Sequence, residues 1–563
     1  MPTMPHSFQL SFIQPMLSTG AEAGGFRSLD WAVLAVYFAS LALTGYLFSR
    51  KGAKDTDDYF LGGRRMPTWA VAISILATSL SAATFVGGPQ QAFAGDLTYL
   101  SSNIGMMIAA VIVATLFIPA FYREKVSTIY ELLETRFGPN AKRAASLAFM
   151  LGRVFASGAR IFIVAIPAAL IIFGERVGAD GVVQAVPAEQ LVLAIAALTL
   201  VGIVYTLVGG ISSVIWTDVI QTGVFLVAVG AAIALLLVRI PLSPGEIVET
   251  LGAANEGTTG AAGKLTLLRL DADPAVPYTL WTALIAFTLM GVASYGADQD
   301  LAQRMLTCKT AARGSWSVVS AILLSIPVVM LFMLCGLLLF VFYRRPELMG
   351  SSAPGYAIDD SRTVFLNFIL REMPAGMSGL MMAGLFAAGL SSLNSALNAM
   401  GSTFINDFYK ELRPGRTPRH YVFAGRVAVA GWGVILGGFA CLCVYWQRAE
   451  NSTLIDFALG VMTFAYAGLL GVFFTALFTR RGTTESVVNS LVVGFLVVLV
   501  LQPFAWTHIT GLHTWRLVAD AGVLDRGYVD EVIGSSLLAW PWRLTLAAGV
   551  STLVCMAPRG KRR

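Results

Sequence analysis

The stretch ISILATSLSAATFVGGPQQAF, residues 73–93, decides the fold: it is long and apolar enough to cross a bilayer, yet it does not read as one continuous helix. About 20 apolar residues span a bilayer core. Ser74, Thr78, Ser79, Ser81 and Thr84 crowd the first half, and Gly87, Gly88 and Pro89 follow. Clustered hydroxyls compete for backbone hydrogen bonds, and the Gly-Gly-Pro segment weakens the helix further. A broken helix at membrane depth is tolerated only where it lines a cavity or is buried in protein, and there its freed carbonyls can coordinate a cation. A kinked packing helix would carry the same residues, so this stretch alone leaves both readings open.

The rest of the chain has the same solvent. Hydrophobic residues make up 56% of the 563, charged residues 13%, and mean hydropathy is +0.71. Soluble domains carry about 25% charged residues, so this chain has too little polar surface to face water all round. Apolar runs of spanning length lie near 31–49, 68–94, 99–121, 143–173, 189–208, 212–238, 279–297, 315–343, 377–402, 423–446, 454–478, 485–505 and 539–556. These thirteen spans predict an all-α polytopic membrane protein. The loops are too short for an independent core, so function is expected inside the bundle. Residues 1–30 lack the layout of a signal peptide and read as an N-terminal tail.

Lysines and arginines set the orientation. With the N-terminus outside, the inward segments hold 24 of the 39 Lys and Arg residues. The C-terminus, with its basic 557–563 tail, is then cytoplasmic, and the net charge of +6 reflects topology rather than nucleic-acid binding. The expected location is a plasma membrane, as in a bacterial inner membrane. The five cysteines, Cys308, Cys335, Cys441, Cys443 and Cys555, form no disulfide framework by their count and positions. All four histidines, His6, His420, His508 and His513, fall outside the spans, which leaves no intramembrane His chemistry.

Polar groups inside spans narrow the chemistry. The ninth span reads GLMMAGLFAAGLSSLNSALNAMGSTF (379–404), with Ala388, Ser392 and Ser395 at i, i+4 and i+7 and Ser391 beside them. Uncharged hydroxyls suit a hard cation that must bind and then leave; small-residue packing is the alternative, although Asn394 and Asn398 are harder to explain as packing. Asp218, in TLVGGISSVIWTDVIQ (206–221), lies about two turns into the sixth span, either inside the bundle or favoured by the helix N-terminal dipole. Arg160, in RVFASGARIFIV (153–164), is an ionisable group inside a long apolar span; its fork of donors suits either a substrate carboxylate or a structural acid. DQDLAQRMLTCK (298–309) reads by itself as a solvated amphipathic stretch after the seventh span.

Together, DDYFLGGRRMPTWAVAISILATSLSAATFVG, YREKVSTIYELLETRFG, YTLVGGISSVIWTDVIQ, GADQDLAQRMLTCK and LSSLNSALNAMGSTFINDFYKE, in that order, resemble the sodium:solute symporter family from about residue 30 to 505. The resemblance implies a LeuT-like architecture: a peripheral helix at 31–50, inverted five-helix repeats at 68–238 and 279–478, and two peripheral helices at 485–556. Its second broken helix would be the seventh span, with Gly291 and Gly296 as the expected breaks. The family's common sodium site maps onto Ala77, Leu80, Ala388, Ser391 and Ser392. A second sodium, held by some members, maps onto Asp218 and Ser395, with Asn394 where a hydroxyl is usual. The expected substrate cavity lies near Thr84, Phe85, Asn103, Arg160 and Tyr295. Thr84, Asn103 and Gly291 depart from the sugar-site pattern, and SAATFVGGP resembles the branch carrying monocarboxylates, vitamins and other anions. The implied activity is not enzymatic. It is sodium-coupled import by alternating access of a small organic anion, monocarboxylate or sialic-acid-like, without cofactor, by a monomer in the bilayer. A sodium/sugar symporter and a proton-coupled transporter of the same fold are the alternatives.

Overall fold

The computed structural model describes residues 26–49, 55–174, 186–258, 262–354, 360–449, 453–512 and 537–558, with isolated positions between them. Most of the two expected tails, residues 1–25 and 559–563, lies outside this set. The principal helices are α1 (Ser28–Ser49), α2 (Thr68–Ser79), α3 (Ala82–Ala94), α4 (Thr98–Arg123), α5 (Pro139–Phe173), α6 (188–209), α7 (Gly210–Arg239), α8 (Leu280–Ala297), α9 (Gln299–Leu306), α10 (Ala311–Arg344), α11 (Met377–Leu412), α12 (Pro418–Ala449), α13 (Leu454–Phe478), α14 (Thr484–Val500) and α15 (Trp540–Met556).

Among the described residues, eight helices are long and apolar enough to cross a membrane, and ten when each of two bent pairs counts as one span. Three further expected spans fall on α1, α6 and α15, whose apolar stretches Ser28–Thr44, Ala188–Val204 and Trp540–Met556 are shorter. The span expected at 485–505 does not run straight: α14 ends at Val500, and Pro503 opens a short helix bent by 75°, because proline cannot continue the preceding hydrogen-bond ladder. Gly210, with φ +61°, separates α6 from α7, a left-handed conformation that favours glycine.

The interruption read in residues 73–93 is present. α2 and α3 meet at 59°, with Leu80 at φ −85°, ψ 86° and Ser81 extended at φ −84°, ψ 177°. The break falls among the hydroxyl residues, while Gly87, Gly88 and Pro89 all lie inside α3. Close packing explains the glycines: a Cβ on Gly87 would come within 2.7 Å of Ile455, and one on Gly88 within 3.1 Å of Phe332. The opposing helix α10 is pressed just as hard, since a Cβ on Gly336 would lie 2.2 Å from the Pro89 carbonyl oxygen. Gly336→Ala is therefore expected to destabilise the protein by about 1–3 kcal/mol through overpacking, read as a lower unfolding temperature in detergent.

The second broken helix corrects the expectation. α8 continues through Gly291 and Gly296, whose missing side chains admit Ala109 and Phe117. It breaks at Asp298 (φ −111°, ψ 117°), whose carboxylate caps the next helix by accepting the Asp300 N–H at 2.9 Å. The segment α9 is not a solvated face. Every residue from Gln299 to Leu306 is buried, including Arg304, which the sequence counts among the loop charges. Two distant segments hold it: Gln299 accepts the Ile129 N–H at 2.9 Å, and Gln303 donates to the Phe60 carbonyl, in the short helix Thr56–Leu61, at 2.5 Å.

On the far side, the connection after α7 returns Lys264 to the end of α3, where its ammonium donates to the Phe93 and Gly95 carbonyls, each at 2.7 Å. Burial pushes this ammonium down to about 8. α11 runs along α6 and α7 at the centre, α10 covers α2 and α3, and α14 and α15 lie outside α13.

Candidate functional site

The site forms where α2 breaks. A helix end frees its last carbonyls, and here those of the α2 C-terminus face the hydroxyl side of α11. Ser392 Oγ donates to the Thr78 carbonyl at 3.5 Å, and Ser391 Oγ donates to Asp218 Oδ1 at 2.6 Å. Ala77, Leu80, Ala388, Ser391 and Ser392 are all buried. A serine that gives its proton to a carboxylate keeps its oxygen lone pairs free for a cation, so the Asp218 contact prepares Ser391 as an acceptor.

Asp218 belongs to a larger network that the motif readings did not assemble. Its Oδ2 accepts from Ser74 Oγ and from Arg304 Nη2, the latter at 3.1 Å. The Arg304 guanidinium also donates to Ser74 Oγ at 2.8 Å, Ser395 Oγ at 2.6 Å and Asp300 Oδ1 at 3.1 Å. Ser395 in turn donates to Asp300. Arg153 pairs in a fork with Asp298 and reaches Asp300 at 3.0 Å, while Tyr466 Oη donates to Asp298 at 2.7 Å. Three buried carboxylates and two guanidinia make up this network, and the buried guanidinium of Arg160 lies in the same cavity wall as Arg153.

Of the residues mapped to a second ion, Asp218 and Ser395 meet here, but around a guanidinium. Asn394 is elsewhere: its Oδ1 accepts from Thr206 Oγ1 at 2.8 Å.

Beside the break lies a cavity of about 110 Å³, lined by Thr78, Ser79, Ser81, Thr84, Tyr99, Arg153, Arg160, Ser294, Tyr295, Met462 and Tyr466, with apolar neighbours. Thr84, Arg160 and Tyr295 are brought together in it, Tyr295 Oη lying 3.2 Å from Ser79 Oγ. Phe85 and Asn103 are outside the lining. Phe85 packs against Phe332 and Phe365, and Asn103 donates to the Leu100 carbonyl at 3.0 Å. Ser79, Ser81, Tyr99, Ser294 and Tyr466 are lining residues that the sequence reading missed; the hydroxyl density of residues 74–84 was the signal for the first two.

Arg160 differs from Arg153. Among the described residues no carboxylate pairs with it: Nη2 reaches Met462 Sδ at 3.4 Å, and Nε has no partner. Arg160 thus lines the cavity as a buried guanidinium, two turns from one that is saturated with acids.

The sodium:solute symporter family profile matches residues 59–494. The chain belongs to the sodium:solute symporter family. It is 30% identical over 492 residues to the sodium/sialic acid symporter SiaT of Proteus mirabilis, covering 85% of this chain and 90% of that one. It is 28% identical over 493 residues to the human sodium/iodide cotransporter, covering 85% and 70%. Among solved structures it is similar to a substrate-bound, outward-open Na+-coupled sialic acid symporter, with a TM-score of 0.71, 25% identity, and 96% and 100% of the two chains covered. This symporter is thus an all-helical, multi-pass membrane transporter of LeuT-like fold, and not an enzyme. Sodium and a solute are its cargo.

Proposed function

We propose that this symporter imports a small organic anion with sodium, and that Arg160 binds the anion's carboxylate. The observation that carries the reading is the buried guanidinium of Arg160, which lines the cavity at the α2–α3 break without an acid of its own. The names of the sialic acid symporters at 30% and 29% identity support an anionic solute.

Sodium binds between the carbonyls of Ala77, Leu80 and Ala388 and the hydroxyls of Ser391 and Ser392. It holds α11 against the broken helix while the solute fills the cavity beside it. The two then close the outer side together and release inward. A second ion at Asp218 and Ser395 requires Arg304 to withdraw first.

The N-terminus lies outside and the C-terminus inside, as the loop charges indicate, and the two five-helix repeats run from 68 to 238 and from 279 to 478. The chain works as a monomer. A membrane potential gives about 2.3 kcal/mol per charge per 100 mV, so one sodium concentrates a neutral solute roughly fiftyfold. A monovalent anion carried with one sodium draws only on the sodium gradient.

Uptake by proteoliposomes, screened across short monocarboxylates, sialic acids, sugars and iodide with and without a sodium gradient, tests the reading. Sodium-driven uptake of a carboxylate supports it, and uptake driven by a pH gradient alone overturns it. Ser392→Ala, which removes one neutral ligand, is expected to raise the half-saturating sodium concentration about tenfold, the equivalent of about 1.4 kcal/mol, with the protein still folded. Unchanged sodium activation would remove Ser392 from the site.

A further inference from the structure

We propose that the recess between α5, α13 and α14 binds one anionic phospholipid, with an acyl chain in the recess and the headgroup phosphate on Arg480 and Arg481. The recess holds about 340 Å³, and every residue lining it is apolar. Ala144, Ala148 and Gly152, at i, i+4 and i+8 of α5, form its floor with Gly468 of α13. Leu151 and Val492 stand at its sides, 51% and 52% exposed. The floor is closed by tight packing: a Cβ on Gly152 would come within 1.9 Å of Ala465, and one on Gly468 within 2.9 Å of Leu491.

One end of the recess is plugged. The rings of Phe155, Phe464 and Phe495 meet there, with centroids 5.2, 5.7 and 6.2 Å apart. From Ala144 to Phe155 the recess runs about 16 Å along α5. That is one leaflet of a hydrocarbon core about 30 Å thick, so a chain entering at the open end meets the plug at mid-membrane. A second helix, about 10–12 Å across with its side chains, is far too broad for 340 Å³ spread over that length.

Packing alone selects no lipid, because neighbouring tails are as apolar as the recess. The open end supplies the selection. Arg136 donates to the Ala476 and Thr479 carbonyls, Thr484 Oγ1 donates to the Phe137 carbonyl, and a Cβ on Gly482 would lie 2.9 Å from the Phe137 ring. These contacts fix the loop between α13 and α14 beside the start of α5. Arg480 and Arg481 on that loop are exposed. Among the described residues no carboxylate pairs with either: Glu134 and Glu411 are held by Lys142 and Arg143. Basic side chains beside a membrane attract anionic lipid, and the guanidinium fork matches a phosphate. The lipid braces Gly152, one residue from Arg153 and its ion pairs to Asp298 and Asp300.

The test titrates the detergent-purified protein with dioleoyl phosphatidylglycerol or dioleoyl phosphatidylcholine. Retained lipid is counted by native mass spectrometry, and the unfolding temperature is measured alongside. The native protein is expected to hold one phosphatidylglycerol about tenfold more tightly than phosphatidylcholine, and to unfold at a higher temperature with it. Arg480→Gln with Arg481→Gln should erase that preference while weak binding of both lipids persists. Ala148→Phe, which fills the recess, should remove the retained lipid whatever its headgroup; Ala144→Phe, nearer the open end, serves if that variant does not fold. Equal retention of the two lipids by the native protein would overturn the proposal, as would undiminished retention in the filled variants. A native protein that elutes as a dimer, with the filled variants monomeric, would overturn it too, since a second copy would then occupy the recess.

Discussion

Arg160→Lys is expected to lower kcat/KM for a carboxylate substrate about a hundredfold while leaving the protein folded. A hydrogen bond to a charged group contributes about 1.5–3 kcal/mol, and each 1.4 kcal/mol is tenfold. Lysine keeps the charge but loses the planar fork, so one arm of a bidentate carboxylate contact disappears and the other is misplaced. Folding should survive because Arg160 holds no acid among the described residues. The structural ion pairs belong to Arg153, which takes Asp298 and Asp300. The control is an uncharged amide analogue of the same solute, which should bind the variant and the native protein almost alike. Normal carboxylate affinity in the variant, measured as uptake kinetics in proteoliposomes, would remove Arg160 from the substrate site.

The sequence made the break in residues 73–93 readable because hydroxyls, glycines and a proline have local consequences. Its exact place did not follow, since Gly87, Gly88 and Pro89 serve the packing of α3 against Ile455, Phe332 and α10 rather than the break. The serine face of α11 was equally readable, because helical periodicity is a property of spacing alone. The second broken helix was not. Gly291 and Gly296 resemble weak points, but their partners Ala109 and Phe117 come from α4, far away in the chain. QDLAQRML looked solvated because its polarity is real; what hid its burial is that its charges are neutralised by Arg153 on α5 and Asp218 on α7. Ion pairing between distant segments leaves no periodic trace in either one. The same reasoning explains Asn394, which lies on the serine-rich helix but bonds to Thr206 on α6.

Removing Arg304 should have the largest effect on stability. Its guanidinium contacts Asp218, Asp300, Ser74 and Ser395 at once, all of them buried. Deleting one partner of a buried pair is strongly destabilising, about 3–5 kcal/mol, because the charge left behind has lost both water and counterion. Arg304→Gln is therefore expected to lower the unfolding temperature of the detergent-solubilised protein sharply. Adding Asp218→Asn should recover part of the loss, since it removes one of the stranded carboxylates. Sodium supplies the decisive control. With Arg304 gone, Asp218, Ser391 and Ser395 become oxygen ligands without a competing cation, so the single variant should gain more thermal stability from added sodium than the native protein does, a ligand that binds only the folded state stabilising by RT ln(1 + [L]/Kd). Potassium at the same ionic strength should not reproduce that gain. If sodium and potassium stabilise the variant equally, Arg304 is a structural clamp alone and does not stand in the place of a second ion.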